Sequence, residues 1–259
     1  MYFAAVGLVV GSFLNVCIHR LPLGQSVVRP RSRCPGCGEG ILWYQNVPLV
    51  SWLLLRGRCA RCSQRISLRY PFVELLSGFF VFGAWRIYGL TPAFPIAAVF
   101  ALAMLVLFFT DYDHQLLPDA ITLTGLVAGL ALAWFNPFLE GVGWARIWSS
   151  LGGAALGSGL LWGIGALYSR LRGVEAMGMG DVKMMALVGA FAGPAGVLFT
   201  IFAGSLIGAL FGVAMIPLRG KSLQDTLPFG CFLAPAAVFA LLLGRELVRA
   251  YFQILLPVP

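Results

Sequence analysis

The sequence predicts an all-α polytopic membrane protein of about eight transmembrane helices, with a small zinc-knuckle-like cytoplasmic domain inserted after the first helix. Hydrophobic residues make up 59% of the 259 residues, charged residues only 11%, and mean hydropathy is +0.88. A typical soluble domain has about 45–50% apolar and about 25% charged residues. The apolar residues also fall into runs close to the ~20 residues that cross a bilayer. These observations exclude a water-soluble globule, a disordered chain and a fibrous repeat.

The first element is a transmembrane helix over residues 1–19. Its first 18 residues are uncharged and mostly apolar. A secretory signal peptide would need a basic segment before the apolar run and a small-residue cleavage site after it, but here Arg20 follows the run. We therefore expect a retained helix with its N-terminus outside. Gly7 and Gly11 form a GxxxG pattern, which favours close helix packing.

Residues 20–70 form the second element, a cytoplasmic domain rich in arginine. Nine Arg and a single acid, Glu39, lie between Arg20 and Arg69, so this window carries the whole net charge of +8. A basic block can bind nucleic acid, but next to membrane helices the excess of positive charge on cytoplasmic loops explains it more simply. We expect a cytoplasmic location and no nucleic-acid partner.

Four of the six cysteines in the chain lie in this domain as two CxxC pairs, Cys34 with Cys37 and Cys59 with Cys62. Two CxxC turns can place four thiolates around one tetrahedral Zn²⁺ ion. Disulfides are the structural alternative, but they rarely persist in a reducing cytoplasm, and redox chemistry is a further alternative. We therefore predict a structural zinc site with four cysteine ligands.

Fifty residues bury too little apolar surface to fold without such a metal. Between the two CxxC pairs, the segments 43–48 and 51–52 carry Trp43, Tyr44 and Trp52. We expect these aromatic residues to supply a small core around the zinc. The two remaining cysteines, Cys17 and Cys231, lie in apolar runs and are expected to be buried small hydrophobes.

The third element is a seven-helix membrane domain over residues 71–259. The uncharged run from 184 to 218 is too long for one comfortable membrane helix and short for two. We divide it at Gly193–Pro194, because proline interrupts the helical hydrogen bonds. With the arginine-rich domain inside, segments 111–119, 169–181 and 218–228 also fall inside. The predicted helices lie near 71–90, 93–110, 120–136, 147–168, 182–193, 195–217 and 229–246.

Acidic residues at the cytoplasmic edge of this domain are the candidates for catalysis. Asp111 ends a long apolar helix, where the negative end of the helix dipole makes an anion unfavourable. A second carboxyl that shares a proton with it would compensate. Asp181 offers that partner, with Gly178 and Gly180 allowing backbone and substrate to approach it. Two carboxyls about 3 Å apart cannot both ionise, which is the arrangement that aspartic proteases use to hydrolyse peptides.

Each neighbouring polar residue also has a structural explanation. Asp119 follows Pro118 and precedes an apolar run, so it is expected to be a helix N-cap. Asp181 could cap a helix in the same way. Asp113 could be a solvated loop charge, and His114 is expected to make loop hydrogen bonds, since no Ser or Cys nucleophile is evident beside it.

Six motifs follow one another in order over nearly the whole chain: residues 11–16, 19–22, the two CxxC pairs flanking 43–48, 69–74, 111–119 and 178–183. Taken together, they resemble the type IV prepilin leader peptidase/N-methyltransferase family, whose members are bacterial GxGD-type aspartic membrane peptidases.

The resemblance implies a multi-pass enzyme of the bacterial inner membrane whose active site faces the cytoplasm. Its substrates would be type IV prepilins and type II secretion pseudopilins, cleaved after a Gly by Asp111 and Asp181, with Gly178, Gly180 and Lys183 in support. It also implies N-methylation of the new N-terminal residue, usually Phe, with S-adenosylmethionine as methyl donor. No Rossmann-like GxGxxG marks a site for that donor.

Two hypotheses from other classes compete with this one. The first is a proton-coupled transporter in which Asp111 and Asp181 relay protons. Both acids are predicted at one face of the membrane, however, whereas coupling sites usually lie near its midplane. The second is a zinc-anchored membrane scaffold without catalysis.

Overall fold

The computed structural model describes residues 1–173, 177–219 and 228–255, and all regular structure in these ranges is helical apart from two isolated β-bridges. The prediction of an all-α fold is thereby confirmed. Two short 3₁₀ turns lie at Trp43–Asn46 and Ala133–Phe135. The helices are α1 (Tyr2–Arg20), α2 (Val50–Leu54), α3 (Arg69–Tyr88), α4 (Ala93–His114), α5 (Asp119–Leu132), α6 (Trp144–Arg172), α7 (Met179–Arg219) and α8 (Gly230–Leu255).

Among the described residues, four helices are long and apolar enough to cross a membrane: Tyr2–Arg20, Ala93–His114, Trp144–Arg172 and Met179–Met215. Two further apolar helical segments are shorter, Asp119–Phe135 and Gly230–Leu243. These helices identify the chain as a membrane protein. The larger number of about eight transmembrane helices stays a prediction. The helices and the long polar segment divide into two compact units, Met1–Ala98 and Val99–Pro259.

In the first unit, α1 and α3 pack through the glycines of the GxxxG pattern. A Cβ atom on Gly7 would lie 2.7 Å from the Ser77 carbonyl oxygen, and one on Gly11 would lie 2.7 Å from the Glu74 Cα. Contacts this short leave no room for a side chain at either position. One turn further along α1, Asn15 Nδ2 donates to the Tyr70 carbonyl at 3.1 Å, which fixes an antiparallel register. The predicted close packing of the first helix is confirmed.

The aromatic residues of the polar segment do not all form its core. Trp52 packs against Gly57 and donates from Nε1 to the Ile66 carbonyl. Trp43 is 83% exposed and Tyr44 is 54% exposed, so the prediction that these two side chains supply core bulk is wrong. The 3₁₀ turn that begins at Trp43 uses backbone and Gln45 hydrogen bonds instead, which leaves both rings on the surface of this unit.

In the second unit, α6 and α7 approach each other through small residues. A Cβ atom on Gly189 would lie 2.1 Å from the Gly153 carbonyl oxygen, and Ser150 Oγ donates to the Ala190 carbonyl at 2.7 Å. The helical geometry of α7 is interrupted at Gly193, which has φ 68° and ψ −175°. Only glycine adopts this backbone readily, and the following Pro194 has no N–H to continue the ladder. The break therefore falls where the sequence predicts it.

Candidate active site and metal centre

Asp111 lies near the C-terminal end of α4 and is only 5% exposed. The backbone N–H of Cys231, in the first turn of α8, donates to its Oδ2 at 2.9 Å. The Cys231 thiol in turn donates to the Phe108 carbonyl at 3.4 Å. The positive N-terminal end of α8 thus faces the Asp111 carboxylate. This compensates for the negative C-terminal end of α4, which disfavours an anion at this position. This compensation is one that the sequence analysis did not foresee.

Gly230 makes this approach possible. A Cβ atom at this position would lie 2.9 Å from Asp111 Oδ2 and 3.1 Å from its Cγ. The carboxylate therefore occupies the space that any other residue would need. A glycine at the start of an apolar run is the only signal in the sequence for this contact, and it is a weak one.

Asp181 lies in the first turn of α7, and the negative charges of Asp181 and Asp111 repel each other at close range. Its Oδ1 is buried and accepts no hydrogen bond from any residue that the structure describes. The structure thus brings together the two carboxyls that the sequence analysis paired. Adjacent carboxyls in a poorly solvated place favour a single shared proton.

The glycines of the GxGD motif have different surroundings. A Cβ atom on Gly180 would lie 3.1 Å from Leu117 Cβ, whereas one on Gly178 would meet nothing nearer than Asp181 Oδ2 at 3.7 Å. Leu117 is buried and also contacts Gly230. This leucine therefore packs against the N-terminal turns of both α7 and α8. The sequence signal for this contact is the apolar pair Leu116–Leu117 within an otherwise polar segment, and it was not used in the prediction.

Lys183 forms a bidentate ion pair with Asp119: its Nζ lies 2.7 Å from Oδ1 and 2.9 Å from Oδ2. The prediction that Asp119 caps α5 is wrong. Pro118, with extended backbone angles, holds the cap position, and no side chain closes the cap. Asp119 is the first residue of the helix, and its carboxylate links α5 to α7.

Asp113 and His114 lie at the exposed end of α4.

The metal centre is formed by Cys34, Cys37, Cys59 and Cys62, whose sulfur atoms all lie within 4.8 Å of one another. The Sγ atoms of Cys34 and Cys62 are 3.7 Å apart. Four sulfurs at the Zn–S distance of about 2.3 Å would form a tetrahedron with edges of about 3.8 Å. The predicted cluster is confirmed as one able to hold a metal ion.

The two CxxC turns have the same backbone design. The N–H of Cys34 donates to Glu39, and that of Cys59 donates to Gln64, at 2.9 and 2.8 Å. Directly after the second cysteine of each pair, Gly38 and Ser63 adopt positive φ angles of 71° and 58°. Each turn is therefore a compact knuckle that directs both of its sulfurs to the same side.

Backbone hydrogen bonds prepare one of these four sulfurs, that of Cys59, for metal binding. Amides of Cys62 and Arg61 lower the pKa of the Cys59 thiol to about 6. A thiol with this pKa is largely deprotonated at neutral pH, and the thiolate is the form that binds metal.

The other two cysteines lie outside the metal centre. Their predicted burial is confirmed, since Cys17 is 6% and Cys231 is 7% exposed.

Comparison with known proteins gives two family matches. Residues 5–87 match the bacterial peptidase A24 N-terminal domain, and residues 98–213 match the type IV leader peptidase family. No solved structure matches the chain.

Several curated relatives are similar along nearly their whole length, and all three of the following are named prepilin leader peptidase/N-methyltransferase. A Pseudomonas putida protein is 38% identical over 96% of this chain and 92% of its own. One from Pseudomonas aeruginosa is 38% identical over 96% and 91%, and one from Aeromonas salmonicida is 36% identical over 99% and 96%. The chain therefore belongs to the type IV leader peptidase family.

Proposed function

We propose that this protein is a membrane aspartic endopeptidase that removes the leader peptide from type IV prepilins and type II secretion pseudopilins, and then N-methylates the new N-terminal residue. The observation that carries the peptidase activity is the meeting of Asp111 and Asp181 at the ends of α4 and α7. Membership of the leader peptidase family and the names of the relatives support both activities.

The surroundings of the two carboxyls suggest different roles in hydrolysis. Asp111 receives the Cys231 N–H and faces the positive end of α8, which favours the ionised form. It acts as the base that takes a proton from the attacking water. Asp181, whose Oδ1 accepts no hydrogen bond from the described residues, keeps the shared proton and donates it to the oxygen of the scissile carbonyl. The carbonyl is thereby polarised as the water oxygen attacks its carbon.

The protein lies in the bacterial inner membrane with its active site towards the cytoplasm. Support comes from the arginine-rich segment after α1, since cytoplasmic loops carry an excess of Lys and Arg. About eight membrane helices are consistent with this orientation: the four clearest spans, with α7 counted as two halves, together with α3, α5 and α8.

Zinc is the metal that we assign to Cys34, Cys37, Cys59 and Cys62. Four thiolates in tetrahedral spacing are typical of structural zinc sites, which leave no open coordination position for a catalytic water. The metal would stabilise the segment that carries it, because binding free energy becomes folding free energy in small metal domains.

The methyl donor is S-adenosylmethionine, which supplies a sulfonium-activated methyl group. This assignment follows from the names of the relatives. The competing hypothesis of a proton-coupled transporter has no support from any of the comparisons, and the scaffold hypothesis accounts for neither the pairing of Asp111 with Asp181 nor the family membership.

The direct test is incubation of the purified protein with a prepilin, with and without S-adenosylmethionine, followed by mass spectrometry of the product N-terminus. We expect a leader-free product in both reactions and a mass increase of one methyl group only when the donor is present. An intact prepilin after incubation, with proteoliposomes of the same preparation showing ion flux, would instead favour the transporter.

A further inference from the structure

The first unit contains a buried carboxylate that the peptidase site does not use. Glu74 on α3 is 7% exposed, and its Oε2 accepts the N–H of Leu49 at 2.9 Å. The Ser12 hydroxyl also interacts with this carboxylate. No Lys, Arg or His of the described residues forms an ion pair with it. A buried carboxylate without a cation is costly, and such a group is therefore a candidate for a functional role.

A second buried acceptor lies on the facing helix. Asn15 on α1 is 2% exposed, and its Nδ2 donates to the carbonyls of Gly11 and Tyr70. Its Oδ1 is buried and has no donor among the residues that the structure describes. Because Gly11 contacts the Glu74 backbone and Asn15 contacts the Tyr70 backbone one turn away, Asn15 and Glu74 lie about one helical turn apart on the same interface between α1 and α3.

This pair of acceptors selects a particular class of ligand. The site offers one negative charge, one amide oxygen and the Ser12 hydroxyl, which suits a ligand that donates several hydrogen bonds and carries positive charge. A primary ammonium group has three such donors and one charge. A metal ion is a poorer match, because hard cations take six or more oxygen ligands or retain several waters.

We propose that Glu74 and Asn15 bind the α-amino group of the newly exposed pilin N-terminus and that Glu74 accepts its proton before methyl transfer. The inference rests on the proposed function, because it names the site for the methylation half of that function. The substrate class is a peptide with a free N-terminal amine.

Methyl transfer at this site first requires a neutral amine. An α-ammonium group has a pKa of about 7.7–8.0 in peptides and cannot act as a nucleophile while it is protonated. The Glu74 carboxylate takes one proton and leaves a neutral amine. The amine nitrogen then forms a bond to the methyl carbon while the carbon–sulfur bond of the donor breaks, and the electron pair of that bond goes to sulfur. The product is a methylammonium group and a neutral thioether.

The test separates amine binding from cleavage by using peptides that need no cleavage. Two short peptides carry the mature pilin N-terminus, one with a free amine and one N-acetylated. Their affinities for the full-length protein in detergent are measured for wild type, Glu74→Gln and Ser77→Ala. Ser77 is the matched control, because it is buried on the same helix and its hydroxyl donates to its own helix at the Val73 carbonyl.

We expect wild type and Ser77→Ala to prefer the free amine by about tenfold or more, since only the free amine forms charge-assisted hydrogen bonds with Glu74. Glu74→Gln should bind both peptides about equally. With S-adenosylmethionine present, methyl transfer to the free-amine peptide should fall by about a hundredfold in Glu74→Gln, as typical for loss of a general base. Glu74→Asp should recover part of both signals.

A wild-type protein that does not distinguish the two peptides would overturn the proposal without any variant. Retention of the amine preference and of methyl transfer in folded Glu74→Gln would also overturn it. If Glu74→Gln does not fold, Ser12→Ala replaces it, and an amine preference unchanged from wild type would count against the site. A wild type that prefers the free amine but methylates nothing would contradict the methylation in the proposed function and still support the amine site.

Discussion

The backbone N–H of Cys231 donates to Oδ2 of Asp111 across a separation of 120 residues in the chain, at 2.9 Å. This bond joins the start of α8 to the end of α4. It explains how a buried carboxylate is accommodated where the dipole of its own helix opposes it. The same geometry requires a glycine at position 230.

Replacing Gly230 with alanine should greatly reduce prepilin cleavage. The added Cβ would lie 2.9 Å from Asp111 Oδ2, so the carboxylate or the α8 backbone must move, at a cost of about 1–3 kcal/mol for such overpacking. A misplaced catalytic group can lower the rate by about a hundredfold. Cleavage rates and thermal unfolding of the purified variant check this.

Gly159→Ala is the matched control for that substitution. Gly159 lies within α6, and a Cβ atom there would meet nothing within 4 Å. Alanine also favours the helix over glycine, so wild-type cleavage and equal or higher stability are expected. Equal cleavage by Gly230→Ala and Gly159→Ala would show that the contact with Asp111 is not needed.

The ion pair between Asp119 and Lys183 should matter for cleavage more than for stability. Exposed ion pairs contribute about 0–1 kcal/mol to folding, and the Asp119 side chain is 57% exposed. The pair nevertheless links α5 to the turn of α7 that carries Asp181. We expect Asp119→Lys and Lys183→Asp each to reduce cleavage about tenfold or more with little change in unfolding temperature.

The double variant with both charges exchanged should recover much of the lost cleavage, because it restores the attraction between the two helices. Asp119→Asn alone should be milder than the charge reversals. If the exchanged pair is no better than the single variants, a positioning role for this ion pair is excluded.

The four clustered cysteines should hold one metal ion. Purified protein is expected to contain about one equivalent of zinc, and Cys34→Ser should lower this content sharply, since each knuckle supplies two of the four sulfurs. Cys17→Ser is the control, because Cys17 is a buried residue of α1 outside the cluster. Metal analysis by mass spectrometry gives the content. A metal-free preparation with four titratable thiols and full activity would contradict the prediction.

Loss of the metal should impair methylation before cleavage. The cysteines belong to the first compact unit, whereas both aspartates belong to the second. A fully thiolate-ligated zinc also offers no position for a catalytic water. We expect folded Cys59→Ser/Cys62→Ser protein to yield cleaved but poorly methylated pilin, measured as the mass of the product N-terminus. Fully methylated product, or complete loss of cleavage in a folded variant, would contradict this separation.

Features encoded by local patterns were predictable from the sequence. The spacing within each CxxC pair brings its two sulfurs together, the Gly7–Gly11 pattern allows α1 to approach α3, and Gly193–Pro194 marks the break in α7. In each case a residue type with a known geometric property stands at the position that needs it.

Features that depend on distant backbone atoms were not predictable in the same way. The hydrogen bond from the Cys231 amide cannot be predicted from residue type, because every residue except proline carries the same backbone N–H. Asp119 has a good local explanation as a cap, but its tertiary partner Lys183 takes the carboxylate instead. The exposure of Trp43 likewise follows from the fold of its segment and not from its hydrophobicity.

If Asp111 and Asp181 together cleave prepilin, the cleavage rate should collapse when either aspartate is replaced with Asn. Asp111→Asn and Asp181→Asn remove a carboxyl while keeping a similar volume, so expression and membrane insertion should be unchanged. Each should lower the rate by at least about a hundredfold, the usual contribution of one acid–base group. Substantial cleavage by either folded variant would contradict the two-aspartate mechanism.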